Sequence, residues 1–196
     1  MQRAHTMVEA TVQSIMKSPD ALWQMTSVAS HDYYTYTHCV NVCMFLVAAC
    51  REVLNITNTS QLQQIGLGGL LHDVGKSSIP PEILNKPGKL DDEEFALIKT
   101  HPAEGHAIAT SSGHASTTSL RIILQHHEQF SGGGYPAGLS SEGIHKVVRM
   151  STIIDVYDAL TTKRPYADAR QPFKAMELMV THMKSYFDSK MVRGVV

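Results

Sequence analysis

The sequence predicts an all-α, single-domain fold, and three observations carry that prediction. Apolar residues recur at helical spacing through most of the chain, as at Leu120, Ile123 and Leu124. No segment shows the strict alternation of a half-buried strand, and no internal repeat, low-complexity run or linker interrupts the pattern. The 196 residues suffice for one full core and are short for two.

Val8 to Lys17 reads as a first helix, and Ser18-Pro19-Asp20 is a turn whose residues cap a second. A start signal at Ser30 to Asp32 opens a long helix to about Leu54 that carries His38. His31-Asp32 sits at its cap, where aspartate is expected for backbone reasons. Cys39, Cys43 and Cys50 fall within about 40° on one helical face and are expected as small core residues. A zinc site there would need a matching second pair, which the sequence lacks. After the polar break Asn55 to Ser60, residues Gln61 to His72 are apolar nearly all round. Gly66, Gly68 and Gly69 allow close backbone approach, so a buried helix is expected, with His72 and Asp73 at its end.

Residues 79–90 form a connector punctuated by proline and glycine. Asp91 to Glu94 caps a further helix with Phe95 and Ile98 expected inward, and His101-Pro102 begins another, because proline suits a first helical turn. Ser116 to Glu128 reads as a helix with His127 on its core stripe and His126 rotated about 100° from it. Residues 129–139 are too rich in glycine for regular structure and form a loop directly after two histidines, where recognition residues are usually carried. Ile144 to about Thr161 is a helix with Ile144, Val147, Val148, Ser151, Ile154, Asp155 and Asp158 on one stripe, and Arg170 to about Phe187 is the last. Residues 1–30 thus read as a helical lead and 31–196 as the functional domain.

Composition narrows the function. Lys+Arg 17 against Asp+Glu 18 leaves a net charge of −1, which excludes a non-specific binder of DNA or RNA, since that needs a broad basic surface. No signal peptide and no run of 18 apolar residues occurs, so a reduced, cytoplasmic setting without a membrane segment is expected. Histidine is over-represented at 11 residues, of which His5, His31, His106, His114, His145 and His182 show no partner pattern and are expected as surface or packing residues.

The remaining histidines suggest chemistry. His72 and Asp73 are adjacent, and neighbours on a helix point about 100° apart, so the imidazole can hold one metal while the carboxylate reaches a second. His38, His101, the pair His126-His127 and Asp155 supply further ligands of the types that suit mid-series divalent metals. Each has a structural alternative. His101 can be a cap residue, one of His126 and His127 a satisfied core histidine, and Asp155 the partner of Arg149 or Arg164. Taken together they point to a metal-dependent hydrolase.

The chain resembles the HD-GYP family. The likeness runs through His72-Asp73-Val74-Gly75-Lys76, Ile83 to Leu90, His101-Pro102 with Gly105, His126-His127-Glu128, Gly134-Tyr135-Pro136 with Gly138-Leu139, and Asp155 to Thr161 with Arg164-Pro165-Tyr166. It covers roughly residues 30 to 185. The resemblance implies an HD-type helical bundle that hydrolyses a cyclic dinucleotide, chiefly cyclic di-GMP, in bacterial signalling. It implies His38, His72, Asp73, His101, His126, His127 and Asp155 as ligands of divalent transition metals, with iron or manganese usual. Two such ions would clamp a phosphodiester and acidify a bridging water.

Around that centre, Lys76 is expected to neutralise a phosphate oxygen. Asp158 is expected to orient a ligand or Lys76. Tyr135 with Gly133, Gly134 and Pro136 would receive the nucleotide, and Arg164 and Lys163 are candidate phosphate contacts. Tyr34 stands where some members carry a glutamate for a third metal, so two metals are expected. Ser131-Gly132 replaces the usual Asp-Gly, and Ala167 replaces a common basic residue, for which Lys163 can compensate. These departures leave open cyclic di-GMP against 3′,3′-cyclic GMP-AMP as substrate. The competing reading is a sensor or scaffold that binds the nucleotide without hydrolysis. An upstream sensory or receiver domain and a homodimer are further expectations from the resemblance.

Overall fold

A computed structural model describes residues 33–163 and 169–195. The helices expected before residue 30, the His31-Asp32 cap and Arg164 lie outside these residues. The described residues form α1 (Tyr33–Glu52), α2 (Thr59–Leu71), a 3₁₀ turn (Val74–Ser78), α3 (Pro81–Leu84), α4 (Asp92–Ile98), α5 (His101–Ser111) and α6 (Thr117–Gln125). A second 3₁₀ turn (Ser141–Gly143) precedes α7 (Lys146–Thr161), α8 (Pro172–Thr181) and α9 (Ser189–Val195). Among them there is no named strand, only an isolated bridge between Ser131 and Ser140, and no helix is long and apolar enough to cross a membrane.

Helical periodicity builds the core. On α1 the buried residues Thr35, His38, Cys39, Val42, Cys43, Leu46 and Cys50 recur every three or four positions. This stripe packs against α2 on one side and α7 on the other. Asn58 caps α2 by accepting the Gln61 amide at 2.9 Å. A Cβ on Gly68 would press on Ile122 and the Ser119 backbone, so only glycine lets α2 and α6 come this close. Burial of α2 is confined to Ile65–Leu71, and its first turn is exposed, not apolar all round as expected. One core cluster joins α1, α2, α6 and α7 through Val42, Leu46, Ile65, Ile122, Val147 and Ile154. A second, around Cys39, Leu70, Val74 and Ile123, lies towards α5.

Several boundaries and orientations differ from expectation. The connector after Ile79 contains one helical turn, α3. Asp91 and Glu94 form the expected capping box on α4, but Phe95 is 48% exposed and lies under the Lys99 ammonium instead of facing inward. This seven-residue helix buries none of its residues and packs chiefly against the single turn α3, so it has no core to offer that ring. The helix α6 stops at Gln125, so His126 and His127 stand in the turn beyond it. The buried face then runs through Ser119, Ile122, Ile123 and His126, and it is His126, not His127, that is fully buried. The last helix is shorter than expected. After α8 the chain turns so that the Ser185 and Tyr186 carbonyls accept the Ser131 and Phe130 amides at 3.1 and 2.9 Å, and α9 then returns Val192 to the core.

Candidate metal centre

Side chains able to ligate a metal converge where α1, the end of α2, α5, the turn after α6 and α7 meet. They form two His/Asp groups, in each of which the ligand atoms lie within 4.8 Å of one another, and a third group, Cys39 with His72 and Asp73, overlaps both. One is His38, His72 and Asp155, and the other is Asp73, His101, His126 and His127. The adjacent pair His72-Asp73 therefore serves both groups. The structure brings together every histidine and carboxylate that the sequence singled out as a ligand.

The donor set decides whether cations fit. His72 Nδ1 donates to the Gly69 carbonyl at 2.7 Å, His101 Nδ1 to Ile98 at 2.8 Å and His126 Nδ1 to Ile123 at 2.9 Å. A carbonyl only accepts, so in each ring Nδ1 is the donor and Nε2 is turned inward, where it can ligate a metal. Nε2 of His72 is buried with no hydrogen-bond partner. Those of His101 and His126 face each other at 3.2 Å, a repulsive pair of lone pairs unless a cation lies between them. Burial first, and then the neighbouring His127, hold His126 well below the usual imidazole range, and burial lowers His127 to about 4. His126 itself therefore does not supply that cation as a proton near neutral pH. These residues fit divalent transition metals, which take neutral imidazole and carboxylate together.

His38 is bound differently. Its Nε2 lies 3.0 Å from Asp155 Oδ1 and its Nδ1 2.7 Å from Asp158 Oδ2. Burial works against its charge, but the two carboxylates outweigh it and raise the ring to about 9. Asp158 also accepts from Asn41 at 2.9 Å and Thr162 at 3.0 Å. It faces His38 and not Lys76. Burial alone would protonate Asp73 and Asp155, yet Lys76 and His72 at Asp73, and His38 and His72 at Asp155, hold both carboxyls below the usual range. Lys76 Nζ reaches Asp73 Oδ2 at 2.5 Å from the 3₁₀ turn, not from a continued α2. The Arg149 alternative for Asp155 fails, because Arg149 binds Glu142, Asp188 and the Ile144 carbonyl. His106, His114, His145 and His182 lie outside both groups, as expected.

Over the centre lies a cavity of about 820 Å³ whose lining includes His38, Asp73, Lys76, His127, Tyr135 and Arg170. Tyr135 stacks on His127 with centroids 4.7 Å apart. Gly133, Gly134, Pro136 and Lys163 are not among the lining residues. Sequence reasoning missed Arg170, which read only as the start of the last helix, and passed over Glu128, which is 1% exposed beside the two histidines.

A family model described as an HD domain matches residues 12–191. The chain belongs to the HD domain family. Within it, the ordered motifs and the relatives place the chain among HD-GYP members. This HD domain is 37% identical over 193 residues to a cyclic di-GMP phosphodiesterase of Pseudomonas aeruginosa, covering 98% of this chain and 46% of that protein. It is 37% identical over 134 residues to the 3′3′-cGAMP-specific phosphodiesterase 2 of Vibrio cholerae, covering 68% of this chain and 26% of that protein. The chain thus spans less than half the length of these curated relatives. Among solved structures it matches an HDG"Y"P protein from Bdellovibrio bacteriovorus with a TM-score of 0.70 at 22% identity, over 96% of this chain and 63% of that one. That likeness shows a shared fold.

Proposed function

We propose that this HD domain is a metal-dependent phosphodiesterase that opens a cyclic dinucleotide, cyclic di-GMP or 3′,3′-cyclic GMP-AMP, to a linear 5′-phosphorylated dinucleotide. With cyclic di-GMP the product is pGpG, which the same site can cut further to GMP. The observation that carries this reading is the pair of ligand groups sharing His72-Asp73 at the floor of a cavity of about 820 Å³. The relatives named for cyclic di-GMP and for 3′3′-cGAMP support the substrate class.

His38, His72 and Asp155 would hold one ion and Asp73, His101, His126 and His127 the other, with iron or manganese the metals that the HD-GYP resemblance implies. When bound, the metal pair would supply Lewis-acid charge and an acidified water. The chain's own residues do the rest. Lys76 would neutralise a phosphate oxygen as charge develops, Asp158 would keep the His38 ring in place, and Tyr135 would offer a stacking face. Arg170 would answer the second phosphate of the ring.

Chromatographic product analysis under anaerobic conditions tests this. The manganese- or iron-loaded protein receives cyclic di-GMP and 3′,3′-cyclic GMP-AMP in parallel, with Asp73→Ala as control. Linear product absent from the control is expected. Intact substrates at verified metal occupancy would overturn the enzyme reading.

A further inference from the structure

Glu128 is a buried carboxylate with no paired cation among the described residues. Such a group is costly unless hydrogen bonds satisfy it, and here both oxygens are taken by the glycine-rich segment. The Ala137 amide donates to one oxygen at 2.7 Å and the Leu139 amide to the other at 2.8 Å. Each oxygen accepts a separate backbone N–H, the two lying two residues apart, so the two bonds together form a clamp. The same segment meets the metal centre once more, where the Tyr135 amide donates to the His127 carbonyl at 3.2 Å and the Tyr135 ring lies on the His127 ring. From α7, the Thr152 hydroxyl donates to the His126 carbonyl at 2.9 Å and fixes the strip that carries all three residues.

Residues 126–128 thus present two ligand-type imidazoles and, immediately after them, the anchor of the segment that walls the cavity. We propose that Glu128 is a positioning residue that holds residues 135–139 so that Tyr135 forms a nucleotide-facing wall, and that it thereby governs affinity for the cyclic dinucleotide. The affinity part rests on the phosphodiesterase reading above. Glutamine at this position keeps the shape but points an NH₂ group at a backbone N–H, so one bond is lost and two donors face each other. Aspartate keeps both acceptor oxygens on a shorter stem and can retain part of the clamp.

The test uses the full metal-loaded chain as wild type, Glu128→Gln and Glu128→Asp. Three quantities are read: amide hydrogen exchange over residues 129–139, bound metal, and KM and kcat on whichever cyclic dinucleotide is turned over. In Glu128→Gln, exchange at Ala137 and Leu139 is expected to accelerate at least tenfold. KM should rise at least tenfold with a smaller fall in kcat, metal content should hold, and Glu128→Asp should recover part of the KM. Unchanged exchange would overturn the clamp. Loss of metal with kcat falling at constant KM would overturn the positioning role, leaving Glu128 a support of the metal centre. If the wild type turns over neither nucleotide, the phosphodiesterase reading fails and the affinity claim with it, while the exchange measurement still decides whether Glu128 holds the segment.

Discussion

At the scale of single residues, the unusual group is His38, because both its nitrogens face carboxylates while the other buried rings face carbonyls. In metal-free protein its folded pKa of about 9 lies above the ordinary 6.5. The stability this contributes is therefore fully present below about 6.5 and is lost as pH rises through about 9. A metal ion competes with the same proton, so apparent metal affinity should climb as pH rises towards about 9 and level off above it. Competition against a chelator across that window measures it. Asp158→Asn removes one anionic acceptor from the ring, so the climb should move to lower pH. The same change should weaken the high-pH affinity roughly 10–100-fold, the usual cost of losing a group that orients a ligand. A flat profile in the wild type, or an unshifted one in the variant, would show that His38 does not exchange its proton for metal.

At the scale of elements, the 3₁₀ turn that follows His72-Asp73 must lie directly on the start of α5. A Cβ on Gly75 would fall inside contact distance of the His101 carbonyl oxygen and the Gly105 amide nitrogen, both backbone and unable to yield. Gly75→Ala should therefore cost about 1–3 kcal/mol by overpacking and should also push His101 away from Asp73, lowering bound metal. Gly143→Ala, where nothing lies within 4 Å of the added carbon, is the control that should change neither. Equal melting temperatures and metal contents in the two variants would refute this packing argument. The helices themselves were readable because periodicity reports which face each one buries, as for Cys39, Cys43 and Cys50 on α1. Periodicity does not report what stands opposite. Phe95 has the right spacing and no core to enter, and the stripe through Leu120 and Leu124 was carried to His127 across a helix that ends at Gln125. Ligand-type residues stood out because charge and imidazole in apolar surroundings demand partners. Glu128 did not, since its partners are backbone N–H groups nine and eleven residues later, which leave no trace in residue type.

At the scale of the whole molecule, the ligand-type side chains come from α1, the end of α2, α5, the turn after α6 and α7, so bound metal would tie together elements that two core clusters otherwise join only by packing. The Nε2 atoms of His72, His101 and His126 are already aimed inward by their Nδ1 bonds, whereas in the unfolded chain the same rings are scattered and solvated. Metal should thus bind the folded state far better than the unfolded one, and its free energy of binding adds to stability. At a free concentration of 100 times Kd, one site contributes about 2.7 kcal/mol. In a chain of this size each kcal/mol moves the melting temperature by about 2–4 °C, so one filled site should raise it by roughly 5–11 °C. Two filled sites should give more, and stripping with a chelator should reverse the shift. Asp73→Ala opens the group of four and leaves His38, His72 and Asp155, so it should keep a smaller shift with less metal bound. A melting temperature indifferent to manganese or iron in the wild type would mean that the convergent imidazoles do not hold metal in the folded chain, and it would remove the chemical basis for hydrolysis at this site.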